Sequence, residues 1–301
     1  MTGPDGSASQ QAQQSAVELA MKRVAELVGQ GVEVLLTHGN GPQVGNLLVK
    51  NELAAHVVPP VSLDWCGAQT QGTIGLLVLN ALEQALTERG LRRRVATVVS
   101  RTLVDAADPA FEHPTKPVGR FLPAVEAARY GDTGQHWVDF GAKGWRRVVP
   151  SPEPIEILDA PAARALMDAG YIVVAAGGGG VPVVRDPSSG GLRGVEAVID
   201  KDLAAAILAP TLAADALVIA TDVDHVMTGY GTPQVAEIGE IVADALAELA
   251  QAGEFGTGSM GPKVTAAIRF VRCGGRFAVI TSLDRITDAV AGRFGTIVRA
   301  S

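Results

Sequence analysis

Apolar residues return every three or four positions across residues 15–27, at Val17, Leu19, Ala20, Val24 and Leu27, and Gly29, Gln30 and Gly31 close the segment. That spacing predicts an amphipathic helix with a glycine stop. The period then changes. Residues 32–36 form a short apolar run ending in Thr37, His38, Gly39, Asn40, Gly41 and Pro42, after which 43–53 returns to helical spacing. Strand, glycine turn and helix are expected in that order. The same order recurs where 171–176 runs into glycines at 177–180, where 216–220 runs into Thr221, Asp222, Val223 and Asp224, and where 277–280 runs into Thr281 and Ser282. Strands alternating with helices predict an α/β fold, its mainly parallel sheet covered on both faces. In such sheets ligands bind beyond the carboxyl ends of strands, so the strand-end turns are where chemistry is expected. Residues 105–154 interrupt the pattern with Pro109, Pro114, Pro117, Pro123, Pro150, Pro152 and Pro154, which predicts a small inserted subdomain.

Composition narrows the class. With 47% hydrophobic and 19% charged residues the 301-residue chain is suited to a large buried core rather than disorder. A net charge of −7 argues against a generic polyanion binder, and 4% aromatics supply too few rings for base-stacking platforms. Cys66 and Cys273 are the only cysteines and stand far apart, so neither a disulfide framework nor a zinc site is encoded. Residues 1–20 are polar and Gln/Ser-rich without an apolar signal core, and no run is long enough to span a bilayer. A cytoplasmic location with no membrane or nucleic-acid partner is expected.

Four segments carry candidate chemistry. Residues 38–45 place glycines at a strand end and open a helix, whose free N–H groups suit an anion. The spacing is GxGxxxG, one longer than the dinucleotide fingerprint, with an ordinary tight βα turn as the plain alternative. Gly177, Gly178, Gly179 and Gly180 remove four side chains in a row, as a backbone lying against a phosphate requires, with a flexible hinge as the plain alternative. Lys201 stands between Asp200 and Asp202 where a helix begins. Adjacent carboxylates favour its charge and fix its direction, although spacing alone favours a solvated charge cluster. Residues 256–263 resemble a phosphate loop but depart from the Walker pattern, because Pro262 separates Gly261 from Lys263 and Val264 replaces Ser/Thr. Lys263 is left at the mouth of a helix over 264–271, with helix capping as the plain account. The five histidines are scattered, and no residue is assigned to a metal.

Taken together, the stretches THGNGPQVGN (37–46), QTQGTIG (69–75), PTKPVG (114–119), GWRRVVPSPEP (144–154), GGGGVPVV (177–184), GVEAVIDKDLAA (194–205), TDVDHV (221–226), GSMGPKVTAAIRFV (258–271) and ITSL (280–283) resemble the carbamate kinases of the amino acid kinase family. The resemblance implies a three-layer α/β sandwich around a mainly parallel sheet. It implies a carbamate-binding and dimerising half over 1–210, with a protruding subdomain near 105–150, and a nucleotide-binding half over 211–301. The implied reaction is reversible phosphoryl transfer between ATP and carbamate, giving ADP and carbamoyl phosphate with Mg2+ on the phosphates, in a homodimer. Matching motif by motif, Lys201 and Lys263 contact the transferring group, Asp202 orients Lys201, and Lys116 reaches down from the subdomain. Gly39, Asn40, Gly41, Gly178 and Gly179 hold the small acid and the transferring group. Thr221, Asp222, Tyr230, Met260 and Lys263 surround the nucleotide. In one respect the chain departs from the resemblance. Members open on a strand of the type VVALGGNAL, whereas this sequence opens on TGPDGSASQQ, so the sheet is expected to lack a central parallel strand or to fill its place otherwise. The competing readings are a catalytically impaired nucleotide-binding dimeric scaffold and a kinase of another small acid in the same family. A dinucleotide oxidoreductase is disfavoured by the off-pattern glycines.

Overall fold

A computed structural model of the chain describes residues 9–256 and 258–300; Thr257 of the glycine-rich turn and residues 1–8 lie outside them. Helix α1 (Gln10–Gly29) begins earlier than its apolar period, because Ser9 accepts a hydrogen bond from the Ala12 N–H and caps a glutamine-rich first turn. Then follow β1 (Leu35–Leu36), α2 (Gly41–Ala54), α3 (Leu63–Glu88), β2 (Arg94–Thr97) and β3 (Arg101–Val104). The excursion contributes β4 (Lys116–Leu122), the short α4 (Ala124–Ala127), β5 (His136–Asp139) and β6 (Trp145–Val149). The chain rejoins the body at β7 (Pro154–Ile157), so Pro154 belongs to the body and not to the subdomain. Next come α5 (Ala160–Asp168), β8 (Tyr171–Val174), β9 (Val181–Arg185), β10 (Leu192–Gly194) and α6 (Lys201–Thr211). The C-terminal part comprises β11 (Ala216–Thr221), β12 (Val226–Thr228), β13 (Ala236–Ile238), β14 (Glu240–Val242), α7 (Ala243–Gln251), α8 (Met260–Arg272), β15 (Phe277–Ser282), α9 (Ile286–Val290) and β16 (Thr296–Arg299).

Parallel pairing dominates the body but not in one continuous ladder. Strands β1, β8 and β2 run parallel in that order, and β3 pairs parallel with β9 and antiparallel with β7. Between β2 and β3 the chain leaves the ladder at Ser100, whose N–H and carbonyl are both taken by the buried Gln71 side chain of α3. The carbonyl also accepts from the Val181 N–H of β9 at 2.8 Å, so the glutamine supplies a strand's part only at the Ser100 N–H. The C-terminal sheet has the order β11, β15, β16, β14, with β11 and β15 parallel. Among the described residues β1 is paired only toward β8 and β11 only toward β15. Leu36 and Val218, one from each of these strands, pack against the same hydrophobic cluster, so side chains rather than a ladder join the two sheets. The subdomain is a separate antiparallel sheet, β4–β6–β5.

Strand lengths differ from the apolar runs because pairing, not hydrophobicity, ends a strand: only Leu35 and Leu36 of residues 32–36 meet β8. The α1 face made by Val17, Met21, Val24 and Val28 shares a buried cluster with Ile74, Val78, Leu82 and Leu86 of α3, whereas Leu19 faces solvent. Among the described residues no helix is long and apolar enough to cross a membrane. Replacing the fully buried Leu82 with Ala is expected to destabilise the fold by about 2–5 kcal/mol. Urea unfolding checks this through a lowered midpoint at unchanged slope, and an unchanged midpoint would contradict the assigned packing.

Candidate active site

The site is built where β1 and β8 end side by side. After β8, Ala176 adopts a left-handed φ of 51° and the glycine run turns sharply, with Gly178, Gly179 and Gly180 also at positive φ. Side chains are excluded here by contact as well as by φ. A Cβ on Gly178 would stand 2.1 Å from Asn40 Nδ2, and one on Gly179 would stand 2.4 Å from the Ile199 carbonyl oxygen. The run is therefore a packed turn and not a hinge. The Gly178 N–H donates to the His38 carbonyl at 2.6 Å, tying this turn to the one after β1.

Asn40 stands at the N-cap of α2 but does not cap it; its amide donates to Thr70 Oγ1 at 2.9 Å instead. Ser259 likewise leaves the start of α8 without a side-chain cap. Both helix starts thus lack a side-chain cap at the N-cap residue, and each turns the positive end of its dipole toward the cavity that its first residues line. Helix α6, by contrast, is capped by Asp200. Its first residues carry the central charges. Asp202 Oδ1 accepts from Lys201 Nζ at 2.6 Å and Asp202 Oδ2 from Lys263 Nζ, on α8, at 2.9 Å. Asp200 Oδ2 accepts from Lys116 Nζ, on β4, at 2.8 Å. The Lys201 stem rests on Gly39, where a Cβ would stand 3.2 Å from Lys201 Cδ.

These groups line one cavity of about 550 Å3, which also meets Gly39, Asn40, Gly41 and Gly178. Gly179 stands behind it, its carbonyl accepting from Thr102 Oγ1 at 2.6 Å. Of the residues expected around a nucleotide only Lys263 reaches this cavity. Thr221 ends β11 and donates to Asp222, Tyr230 is 82% exposed, and Met260 packs on the C-terminal core. The structure adds Asp200, Arg120, Arg146 and Ser259 to the lining. Arg146 Nε donates to the Gly119 carbonyl and its guanidinium lies 4.9 Å from the Phe121 ring centre. Asp200 was legible in the sequence as a carboxylate flanking Lys201, and Arg146 only as part of the stretch GWRRVVPSPEP, with no role attached to either in the site. A larger cavity of about 1120 Å3 opens between α2, β6 and β10, and none of the sequence-predicted residues lines it.

The model of the amino acid kinase family matches residues 5–282. The chain belongs to the amino acid kinase family. A carbamate kinase of Thermococcus kodakarensis is 46% identical over 94% of this chain and 90% of its own length. A crystal structure from Aeropyrum pernix K1 superposes with a TM-score of 0.95 at 42% identity, covering 100% of this chain and 96% of that one. A carbamate kinase from Giardia lamblia bound to AMP-PNP gives a TM-score of 0.92 at 39% identity, covering 99% of this chain and 95% of its own.

In this amino acid kinase burial and pairing set the charges against each other. Burial lowers Lys201 below the ordinary lysine value, with Asp202 opposing and Lys263 adding repulsion. Burial also acts against Lys263, but the charge and hydrogen bond of Asp202 outweigh it and hold Lys263 above that value. Asp200 is likewise disfavoured by burial, yet Lys116 and the backbone N–H groups of Asp202 and Leu203 bring it below the usual carboxylate range.

His38, behind the two turns, is lowered from 6.5 to about 4 by burial. Its Nδ1 lies 3.1 Å from the Gly39 carbonyl, an acceptor only, so Nδ1 carries the proton and Nε2 faces Gly177. A basic group lowered on folding contributes stability above its unfolded pKa and loses it as pH falls toward the folded value. Between pH 6.5 and 4 the native protein is expected to lose about 3 kcal/mol through His38 alone. Urea midpoints at pH 7 and pH 4.5 check this, since His38→Gln should lose less stability over that interval than the native chain. Equal losses would contradict the assignment.

Proposed function

We infer that this chain is a carbamate kinase, transferring a phosphoryl group reversibly between ATP and carbamate to give ADP and carbamoyl phosphate. What carries the assignment is the gathering of Lys116, Lys201 and Lys263 by two aspartates into one cavity. It is supported by likeness to carbamate kinases along nearly the whole chain. Carbamate is already an anion, so its oxygen attacks the γ-phosphorus with no proton to remove. The bond to the bridging oxygen breaks, and its electron pair leaves on the β-phosphate of ADP. Such a step needs in-line positioning and positive charge around the equatorial oxygens rather than a general base. Lys201 and Lys263 supply that charge on the phosphoryl group. Lys116 closes over it from β4, and Asp202 holds its two lysines without touching the reacting atoms. The turn at Gly39, Asn40 and Gly41, with Gly178 and Gly179, provides close backbone approach for the small acid and the transferring group.

The half over 1–210, with its subdomain near 105–150, takes the carbamate, and 211–301 takes the nucleotide, with Thr221, Asp222, Tyr230 and Met260 around it. Among the described residues no cluster of three or more His, Cys, Asp or Glu side chains gathers for a metal, and Asp200 and Asp202 each face an ammonium. The residues do not fit a protein-held magnesium site. Mg2+ is assigned to the nucleotide's own phosphates. Trp65 (63% exposed) and Leu76 (56% exposed) lie on the outer side of α3 and support a homodimer through the 1–210 half.

Supplied with ADP and carbamoyl phosphate, the chain should form ATP. Lys201→Ala should lower kcat about a hundredfold, roughly 3 kcal/mol of transition-state stabilisation, with little change in nucleotide affinity. A coupled ATP assay and nucleotide titration check both. Failure to form ATP would sink the carbamate kinase reading, and an unchanged kcat in Lys201→Ala would remove that lysine from the mechanism.

A further inference from the structure

Asp200 and Asp202 divide three ammonium groups between them. Asp202 takes Lys201 and Lys263, one on each oxygen. Asp200 works differently. Its Oδ1 accepts from the N–H groups of Asp202 at 2.9 Å and Leu203 at 3.4 Å, capping α6, while its Oδ2 accepts from Lys116 at 2.8 Å. One carboxylate thus joins the body of the site to the protruding subdomain. It is fixed from behind: Asp200 is 9% exposed, whereas the Lys116 side chain is 33% exposed and lines the cavity.

Packing of the subdomain explains where the β4 backbone lies. Val118 and Val149 are buried with Val44 and Leu48 of α2, and Lys116 sits opposite Val149 in the β4–β6 ladder. Those contacts set the strand, not the tip of a flexible four-carbon side chain. The only partner that fixes the Lys116 ammonium among the described residues is Asp200.

We propose that Asp200 is a positioning residue for Lys116: it holds the ammonium at the cavity between turnovers and yields it to the phosphoryl oxygens when the acyl phosphate enters. This rests on the carbamate kinase reading and on Lys116 acting there. An ammonium paired with a carboxylate at 2.8 Å is drawn away more strongly by a group of higher negative charge than by one of equal charge. The phosphoryl group meets that condition and the singly charged carbamate does not, so Lys116 passes to the transferring group and not to the acid. Without Asp200 the lysine samples many rotamers and must be ordered anew in each turnover. The loss then falls on kcat.

A double-mutant cycle tests this. Asp200→Asn keeps a good helix cap while removing the charge, and Lys116→Met keeps most of the stem while removing the ammonium. Asp200→Asn should lower kcat for ATP formation about tenfold while leaving the KM for ADP and the melting temperature nearly unchanged. On the Lys116→Met background the same substitution should add less than about twofold. Should Asp200→Asn fold poorly, Asp200→Ser, also a capping residue, runs the same cycle. A native kcat in the Asp200 variant, or an equal loss with and without the lysine, overturns the positioning role. Full turnover by Lys116→Met overturns instead the assignment of Lys116 to the reaction, and the proposal falls with it.

Discussion

Two ammonium groups meet in this protein on one carboxylate. Asp202 holds Lys201 at 2.6 Å and Lys263 at 2.9 Å, and both Asp202 and Lys263 are more than nine-tenths buried. Like charges brought this close repel, and burial removes the water that would screen them. The carboxylate is what makes the arrangement tolerable, and it does so without consuming the lysines, since each ammonium keeps further N–H donors for a ligand. Lys201 starts α6, Lys263 lies in the first turn of α8, and Asp202 is the residue through which those two helices meet electrostatically.

The rest of the fold serves that meeting. The turns after β1 and β8 interlock so tightly that Gly177 abuts His38 and Gly178 abuts Asn40, and the backbone itself forms one wall of the cavity. Asn40 is spent on Thr70 rather than on capping α2, whose start lines the cavity at Gly41 and Pro42. The subdomain carries Lys116 to the opposite wall. Backbone donors, dipole ends and three cations are thus in place before any anion arrives, which is the preorganisation that transfer of a charged group rewards most.

Much of this was legible in the sequence because the informative signals are local. Changes of hydrophobic period gave α2, β8, β11, α8 and β15 within a few residues, and the prolines of 105–154 marked the subdomain. Glycine runs at strand ends pointed to the cavity wall. What sequence spacing could not show is who faces whom. Lys116 and Asp200 are 84 positions apart, and Lys263 and Asp202 are 61 apart, so a solvated charge cluster remained a fair account of Asp200, Lys201 and Asp202 until the fold closed. Arg146 lies within the matched stretch GWRRVVPSPEP, but its place in the cavity lining follows from the packing of β6 beside Gly119. Tyr230 matched a motif position, and its side chain is open to solvent outside the cavity that the lysines line.

In the proposed mechanism Asp202 prepares two lysines for phosphoryl transfer. Single-turnover formation of ATP from bound ADP and carbamoyl phosphate, measured on Asp202→Asn, addresses it most directly, because the substitution keeps the shape while removing the charge that balances Lys201 and Lys263 and one of the two acceptors that hold them. A folded variant that still binds ADP but transfers the phosphoryl group about a hundredfold more slowly is the predicted result. Transfer at the native rate, in a variant that melts at the native temperature, would contradict it.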